Sequence, residues 1–157
     1  MEVKRNVEEK AESSLSSGKK VEGTAYLDKI SPHILNDLQK KIMTVVVNHK
    51  KYLDKNYTVK QLSIDLGTNT RYVSATVNIC FHMNYASFIN KCRIEEAMMI
   101  LKDKKYQNLR IEDVSDMVGF SNRQSFYTSF CKLTGVTPKA YKRSNILLDT
   151  KTKLKVK

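Results

Sequence analysis

VKQLSIDLGTNTRYVSATV (residues 59–77) and IEDVSDMVGFSNRQSFYTSF (residues 111–130) are two versions of one pattern. Val59 aligns with Ile111, Leu62 with Val114, Leu66 with Val118 and Gly67 with Gly119, all at an offset of 52. One extra residue enters the second copy after the glycine, and the offset becomes 53, so that Val73 aligns with Phe126 and Val77 with Phe130. Apolar residues at steps of three and four make a stripe along one face of a helix. Each copy therefore predicts a short helix, a glycine turn and a second helix. The glycine lets the chain reverse where a Cβ would be strained. The first helix then packs across the second, whose other face stays free. This is the helix-turn-helix plan, and such a free face fits a DNA major groove. One hairpin of this kind occurs in many folds; two in register are far more specific.

The flanking sequence predicts further helices. The first opens at Ser31, with Pro32 suited to the first helical position, and carries Ile34, Leu35, Leu38, Ile42, Val45 and Val46 at helical spacing. Thr58 and Gln61 have capping-box spacing for the helix that ends at Leu66, and its partner starts near Asn69. A long helix runs from a cap at Asn84 to about Lys102, with Ile94, Ala97, Met98 and Leu101 as its seam. In the second copy, Ser121 and Gln124 have the same box spacing, ahead of a core face made by Phe126, Phe130 and Leu133. Thr137 caps a short last helix with Pro138 in first position. The expectation is an all-α fold of seven helices, with two helix-turn-helix subdomains joined by a long central helix. The low counts of Gly (5) and Pro (2) argue against a turn-rich all-β fold.

Charge points the same way. The net charge is +12 over 157 residues, and it is uneven. Residues 1–28 hold five basic and six acidic side chains, leaving 23 basic and 10 acidic in the rest. A domain that basic repels itself, and neutralising a polyanion relieves the cost. Residues 1–28, polar and poor in apolar side chains, read as a flexible tail or linker. Residues 29–144 read as the folded domain and residues 145–157 as a basic tail. No run approaches the roughly 20 apolar residues of a membrane span, and no secretory signal opens the chain. Cys80, Cys92 and Cys131 are odd in number and widely spaced, which suits buried thiols in a reducing cytoplasm and supplies no metal set. His33, His49 and His82 are isolated. Cys80 and His82 lie two apart, on different helix faces, so they make no nucleophile pair. Neither catalysis nor a cofactor is expected.

Three segments carry a family resemblance: Arg93-Ile94-Glu95-Glu96-Ala97 in the long helix, Val118-Gly119-Phe120-Ser121 with Phe126 and Phe130, and Gly135-Val136-Thr137-Pro138 with Tyr141. With these, residues 34–143 resemble the DNA-binding domain of the AraC/XylS family of bacterial transcription regulators, most strongly in the second half. The resemblance implies two recognition helices in successive major grooves of duplex DNA, and commonly a contact with RNA polymerase. Many members carry a ligand-binding domain ahead of this one. About thirty residues precede the first helix here, so no small-molecule effector site is expected in this chain.

Helix geometry and the matching motif positions give the candidate contacts. In the first unit Val73 and Val77 point inward. This leaves Arg71, Ser74, Ala75 and Asn78 on the free face, with Asn69 and Thr70 at its start. Where the family often has a basic residue this chain has Ala75, which suits a thymine methyl instead. In the second unit the free face holds Asn122, Arg123, Gln124, Tyr127 and Thr128. Arginine pairs bidentately with guanine, and Gln or Asn with adenine. Lys60, Arg110, Lys139, Lys142 and Arg143 flank the units as phosphate contacts. Arg93, beside Glu95 and Glu96, suits an internal brace between the halves. The competing reading is a helical protein-interaction module that binds polyanions without sequence preference.

Overall fold

The computed structural model describes residues 31–145, which are helical and turn-linked with no strand among them. The expected tails fall outside the described residues, apart from Asn145. Seven helices follow in order: α1 (Pro32–Ile42), α2 (Val59–Asp65), α3 (Thr70–Phe81), α4 (Tyr85–Lys102), α5 (Ile111–Met117), α6 (Arg123–Thr134) and α7 (138–145). After Ile42 the first helix widens into a π turn over Met43–Asn48, which places Val46 in the core. The side chain of Thr44 donates to the carbonyl of Lys40 (3.0 Å) at this transition. A hydroxyl bonded back to the preceding turn often bends a helix.

Two cores form, one for each half. The first gathers Leu38, Ile42 and Val46 of the opening segment, Leu62 of α2, Val73 and Val77 of α3, and Phe88, Ile89 and Cys92 of α4. The second gathers Ile94, Ala97 and Leu101 of α4, Val114 of α5, then Val118 and Phe120, and Phe126 and Phe130 of α6. The 18-residue α4 thus gives its first half to one core and its second half to the other. Ile34 (47 % exposed) and Leu133 (44 % exposed) lie outside both, contrary to expectation. Ile34 sits in the first turn of its helix and Leu133 in the last turn of α6.

The halves meet at Arg93, between the two core stretches of α4. Its Nε donates to the carbonyl of Tyr52 (2.7 Å) and its Nη2 to the carbonyl of Asp54 (2.9 Å), both in the loop before α2. Its guanidinium lies 5.6 Å from the ring centre of Phe120 in the second half. The expected internal brace is present. Leu53, between the two carbonyls, packs against both cores. Gly119 backs onto the same loop: a Cβ there would stand 2.5 Å from the Leu53 carbonyl oxygen. The Nζ of Lys55 pairs with Asp116 (3.0 Å) beside it. Glu96, one turn along α4 from Arg93, accepts from Lys50 Nζ (2.8 and 3.1 Å) and from the Tyr52 hydroxyl (2.9 Å).

Gly67 and Gly119 separate conformational strain from crowding. Both have positive φ (+63° and +91°), but nothing lies within 4 Å of a Cβ placed on Gly67. Gly67→Ala is expected to cost about 1 kcal/mol from backbone strain. Gly119→Ala is expected to cost about 3 kcal/mol, since crowding adds to strain. Urea unfolding of both variants checks the difference, and equal losses refute the close approach.

A pH dependence follows from Glu96. Burial pushes its carboxyl up, but the hydrogen bonds from Lys50 and Tyr52 outweigh burial and leave it below its ordinary 4.5. A carboxylate depressed in the folded state stabilises fully above its unfolded value, and that stability is lost as pH falls through the folded value. Stability is therefore expected to fall on acidification below 4.5. Glu96→Gln should flatten that decline in denaturant titrations on either side of this pH.

Candidate nucleic-acid interface

α3 and α6 are the second helices of the two hairpins, and the chain reaches each through the same device. After α2, the N–H of Gly67 donates to the carbonyl of Ile64 (3.0 Å) and that of Thr68 to Ser63 (2.9 Å). After α5, Gly119 donates to Asp116 (3.1 Å) and Phe120 to Ser115 (3.1 Å). Both are the doubly bonded Schellman turn, which satisfies carbonyls that a helix end leaves open. The four residues of one turn lie 52 positions from those of the other. The caps follow at 53: Asn69 Oδ1 accepts the N–H of Tyr72 (2.9 Å), and Asn122 Oδ1 that of Ser125 (2.8 Å).

The inserted residue is therefore Ser121, between turn and cap. This corrects the reading of Ser121 and Gln124 as a capping box, because Asn122 holds the cap. Asn caps at least as well as Ser, and the Schellman turn already uses Phe120, which leaves Ser121 one position early. The box at Thr58 is half made. Its Oγ1 accepts the N–H of Gln61 (3.2 Å), but the Gln61 amide donates to Asp65 (2.9 Å) instead of turning back.

On α3 the side chains of Thr70, Arg71, Ser74 and Asn78 are exposed, with Asn69 at the head of the helix. Ala75 is not with them. It is 6 % exposed and sits beside the fully buried Thr76 and Val77, which removes it from the free face. Positions 73, 76 and 77 mark the centre of the buried stripe, and 75 falls on its edge, close enough for a methyl to be covered. On α6, Arg123, Gln124 and Thr128 are exposed, with Asn122 at the cap, and Tyr127 is half-buried edge-on against Phe126. The Gln124 amide reaches the Thr128 hydroxyl (3.5 Å).

The flanking cations divide into two groups. Lys60 on α2 and Lys139 and Arg143 on α7 have exposed side chains. Arg110 is exposed but forked onto Asp113, through Nε (3.1 Å) and Nη2 (2.8 Å), while the Asp113 carboxylate also accepts the N–H of Arg110 (2.9 Å). These bonds hold the Asp113 carboxyl below its ordinary range, the side-chain bond from Arg110 foremost. Lys142 is half-buried, and its Nζ donates to the carbonyl of Leu109 (2.6 Å). That contact makes it a strut between α7 and the loop before α5, rather than a group turned to a phosphate.

Sequence reading missed Glu112. It lies in the first turn of α5, and its Oε1 meets Arg123 Nη1 at 3.1 Å. The Arg123 guanidinium also lies 5.1 Å from the Tyr127 ring centre. The Tyr127 oxygen and then the Glu112 carboxylate push the Arg123 pKa up. Only the first-turn position of Glu112 was visible in sequence, and acidic side chains are common there for reasons of helix dipole alone. Among the described residues no three His, Cys, Asp or Glu side chains gather as a metal set. No described helix is long and apolar enough to cross a membrane.

Residues 52–144 match a family model described as a helix-turn-helix domain. An HTH-type transcriptional regulator in the cgkA 5′ region of Pseudoalteromonas carrageenovora is 29 % identical over 104 residues, covering 64 % of this chain and 60 % of the relative. The transcriptional activator AggR of Escherichia coli is 24 % identical over 116 residues, covering 74 % of this chain and 37 % of AggR. The chain thus spans only part of the length of these relatives. Among solved structures, the C-terminal domain of the response regulator yesN from Fusobacterium nucleatum superposes with a TM-score of 0.59 at 24 % identity, covering 68 % of this chain and 98 % of that one. The C-terminal domain of AraT, a response regulator from Geobacillus stearothermophilus, gives 0.57 at 23 % identity, covering 74 % and 88 %. These likenesses establish the all-helical fold.

The cap assignment is testable by stability alone. Asn122→Ala is expected to cost about 1 kcal/mol, the usual loss for an N-cap. Ser121→Ala should be near neutral. The reverse order in thermal or urea unfolding would return the cap to Ser121.

Proposed function

Because the chain belongs to the AraC-type helix-turn-helix family, we propose that it is a sequence-specific, double-stranded DNA-binding regulator of transcription. In this reading α3 and α6 enter successive major grooves on one face of the duplex. The observation that carries the proposal is the duplicated turn and cap, which deliver two helices with polar exposed faces onto one rigid frame. An 18-residue helix such as α4 is about 27 Å long, suited to holding two reading heads near the ~34 Å repeat of the groove.

The mechanism divides by residue. The basic field draws the protein to DNA at any sequence. Lys60, Lys139 and Arg143, which are exposed, meet phosphates and set the register. Arg110 would do so only by sharing its guanidinium with Asp113. Bases are read by Arg71, Ser74 and Asn78, with Asn69 and Thr70, from the first unit, and by Arg123, Gln124, Tyr127 and Thr128, with Asn122, from the second. A contact with RNA polymerase belongs to the same proposal, as does cytoplasmic action without a small-molecule effector in this chain. No catalytic step is assigned.

The test is selection from randomised duplex at near-physiological salt, followed by sequencing of what stays bound. Two short enriched blocks about one helical turn apart are expected. Salt-sensitive binding with no enriched sequence would favour the helical module that binds polyanions without preference. Arg123→Ala should weaken cognate binding about tenfold or more and relax preference at one base position. Equal loss on every sequence would make Arg123 a phosphate contact.

A further inference from the structure

The second hairpin carries a feature that the first reverses in sign. Glu112 aligns with Lys60 at the offset of 52, so an acid stands where the sister unit has a base. Arg123 and Tyr127 align, at 53, with Thr70 and Ser74. At the aligned positions the first unit has Lys60, Thr70 and Ser74, which cannot form the ion pair and ring contact made around Arg123. A carboxylate beside a DNA-reading face works against polyanion binding, since it repels phosphates. Its placement makes sense if it governs the arginine it touches.

The geometry supports that role. Arg123 is the first residue of α6, and Tyr127 lies one turn further along the same helix. Glu112 reaches the guanidinium from a different helix, through Nη1. The group is thus held between a carboxylate at 3.1 Å and the Tyr127 side chain, whose ring centre lies 5.1 Å away. A guanidinium carries five N–H donors, so donors remain for a bidentate partner. An arginine left to itself has a long, mobile side chain whose nearest attraction on DNA is a phosphate, and a phosphate contact carries no sequence information.

We propose that Glu112 is a positioning residue that determines specificity: with Tyr127 it holds Arg123 toward a base edge and keeps it off the phosphates. The inference rests on Arg123 reading a base, as set out above. Its loss should leave a protein that binds DNA more readily but discriminates less.

Glu112→Gln, alone and combined with Arg123→Ala, tests this in the full chain on the selected duplex, on single-base variants of it and on a scrambled duplex. The expected result for Glu112→Gln is binding to scrambled duplex tightened several-fold. Its salt dependence should steepen by about 0.9 in log–log slope, the signature of one more neutralised phosphate. Preference at the Arg123 base position should fall by about fivefold or more. In the Arg123→Ala background the same substitution should leave that preference unchanged and steepen the slope by clearly less, since only the carboxylate's own repulsion is relieved. Steepening of equal size with and without Arg123 would overturn the proposal, because Glu112 would then act only as a repelling charge. Unchanged base preference in the single variant would overturn it as well. Failure of the wild-type chain to enrich any sequence is a separate outcome, which removes the base-reading role and the proposal together.

Discussion

One buried guanidinium organises the contact between the two halves. Arg93 is 8 % exposed, and burial pushes its pKa below the ordinary arginine value, yet it stays charged because arginine starts so high. Two backbone carbonyls from the loop before α2 satisfy its donors on one side, and the ring of Phe120 covers it on the other. A buried cation without partners would be costly. The loop carbonyls and Phe120 are therefore fixed by the same requirement that fixes Arg93. Because Phe120 closes the second Schellman turn, the entry to α6 is tied to a loop of the other half. The long helix alone would set a distance between the hairpins; the arginine contact also sets their rotation about it.

The two hairpins share turn, cap and buried-serine positions, with Ser63 and Ser115 both nearly sealed, but fill their cores differently. The first uses Val73 and Val77 under α3; the second uses Phe126 and Phe130 at the matching places. The aromatic pair is joined by Phe120 and Tyr141 in edge-on and tilted contacts. The first core makes up the volume from outside its hairpin, with Leu38, Ile42 and Val46 beneath α3 and Phe88 of α4 stacked at 4.6 Å on Phe81, the last residue of α3. The same local plan is thus supported by an added helix ahead of the hairpin in one case and by larger side chains, with Tyr141 of α7, in the other.

Much of this was legible in the sequence because it is local. Periodic apolar residues, glycines after short helices and Asn or Thr before the next ones are rules within a few residues, and they placed all seven helices. The brace role of Arg93 was also readable, since a base amid the acids of a core helix has few other uses. What failed needed knowledge across elements. Ala75 and Leu133 lie at the edges of their stripes, where burial depends on what packs nearby. Lys142 was assigned by charge, but its partner is the carbonyl of Leu109, 33 residues away. Ser121 was misread because an insertion can fall on either side of a cap, and only the turn's hydrogen bonds decide which. Glu112 looked like an ordinary first-turn acid until its distance to Arg123 was known.

The contact of Gly119 with Leu53 has a bearing on how two heads would share one duplex in the proposed complex. There the backbones of the halves come together with no side chain between them. In the proposed complex, two readers joined so closely act like the jaws of a caliper and favour one spacing and one twist. Any mismatch has to be taken up by the nucleic acid, whose flexibility varies with base sequence. The base pairs lying between the two contacted blocks, touched by neither helix, would then be selected for how easily they deform.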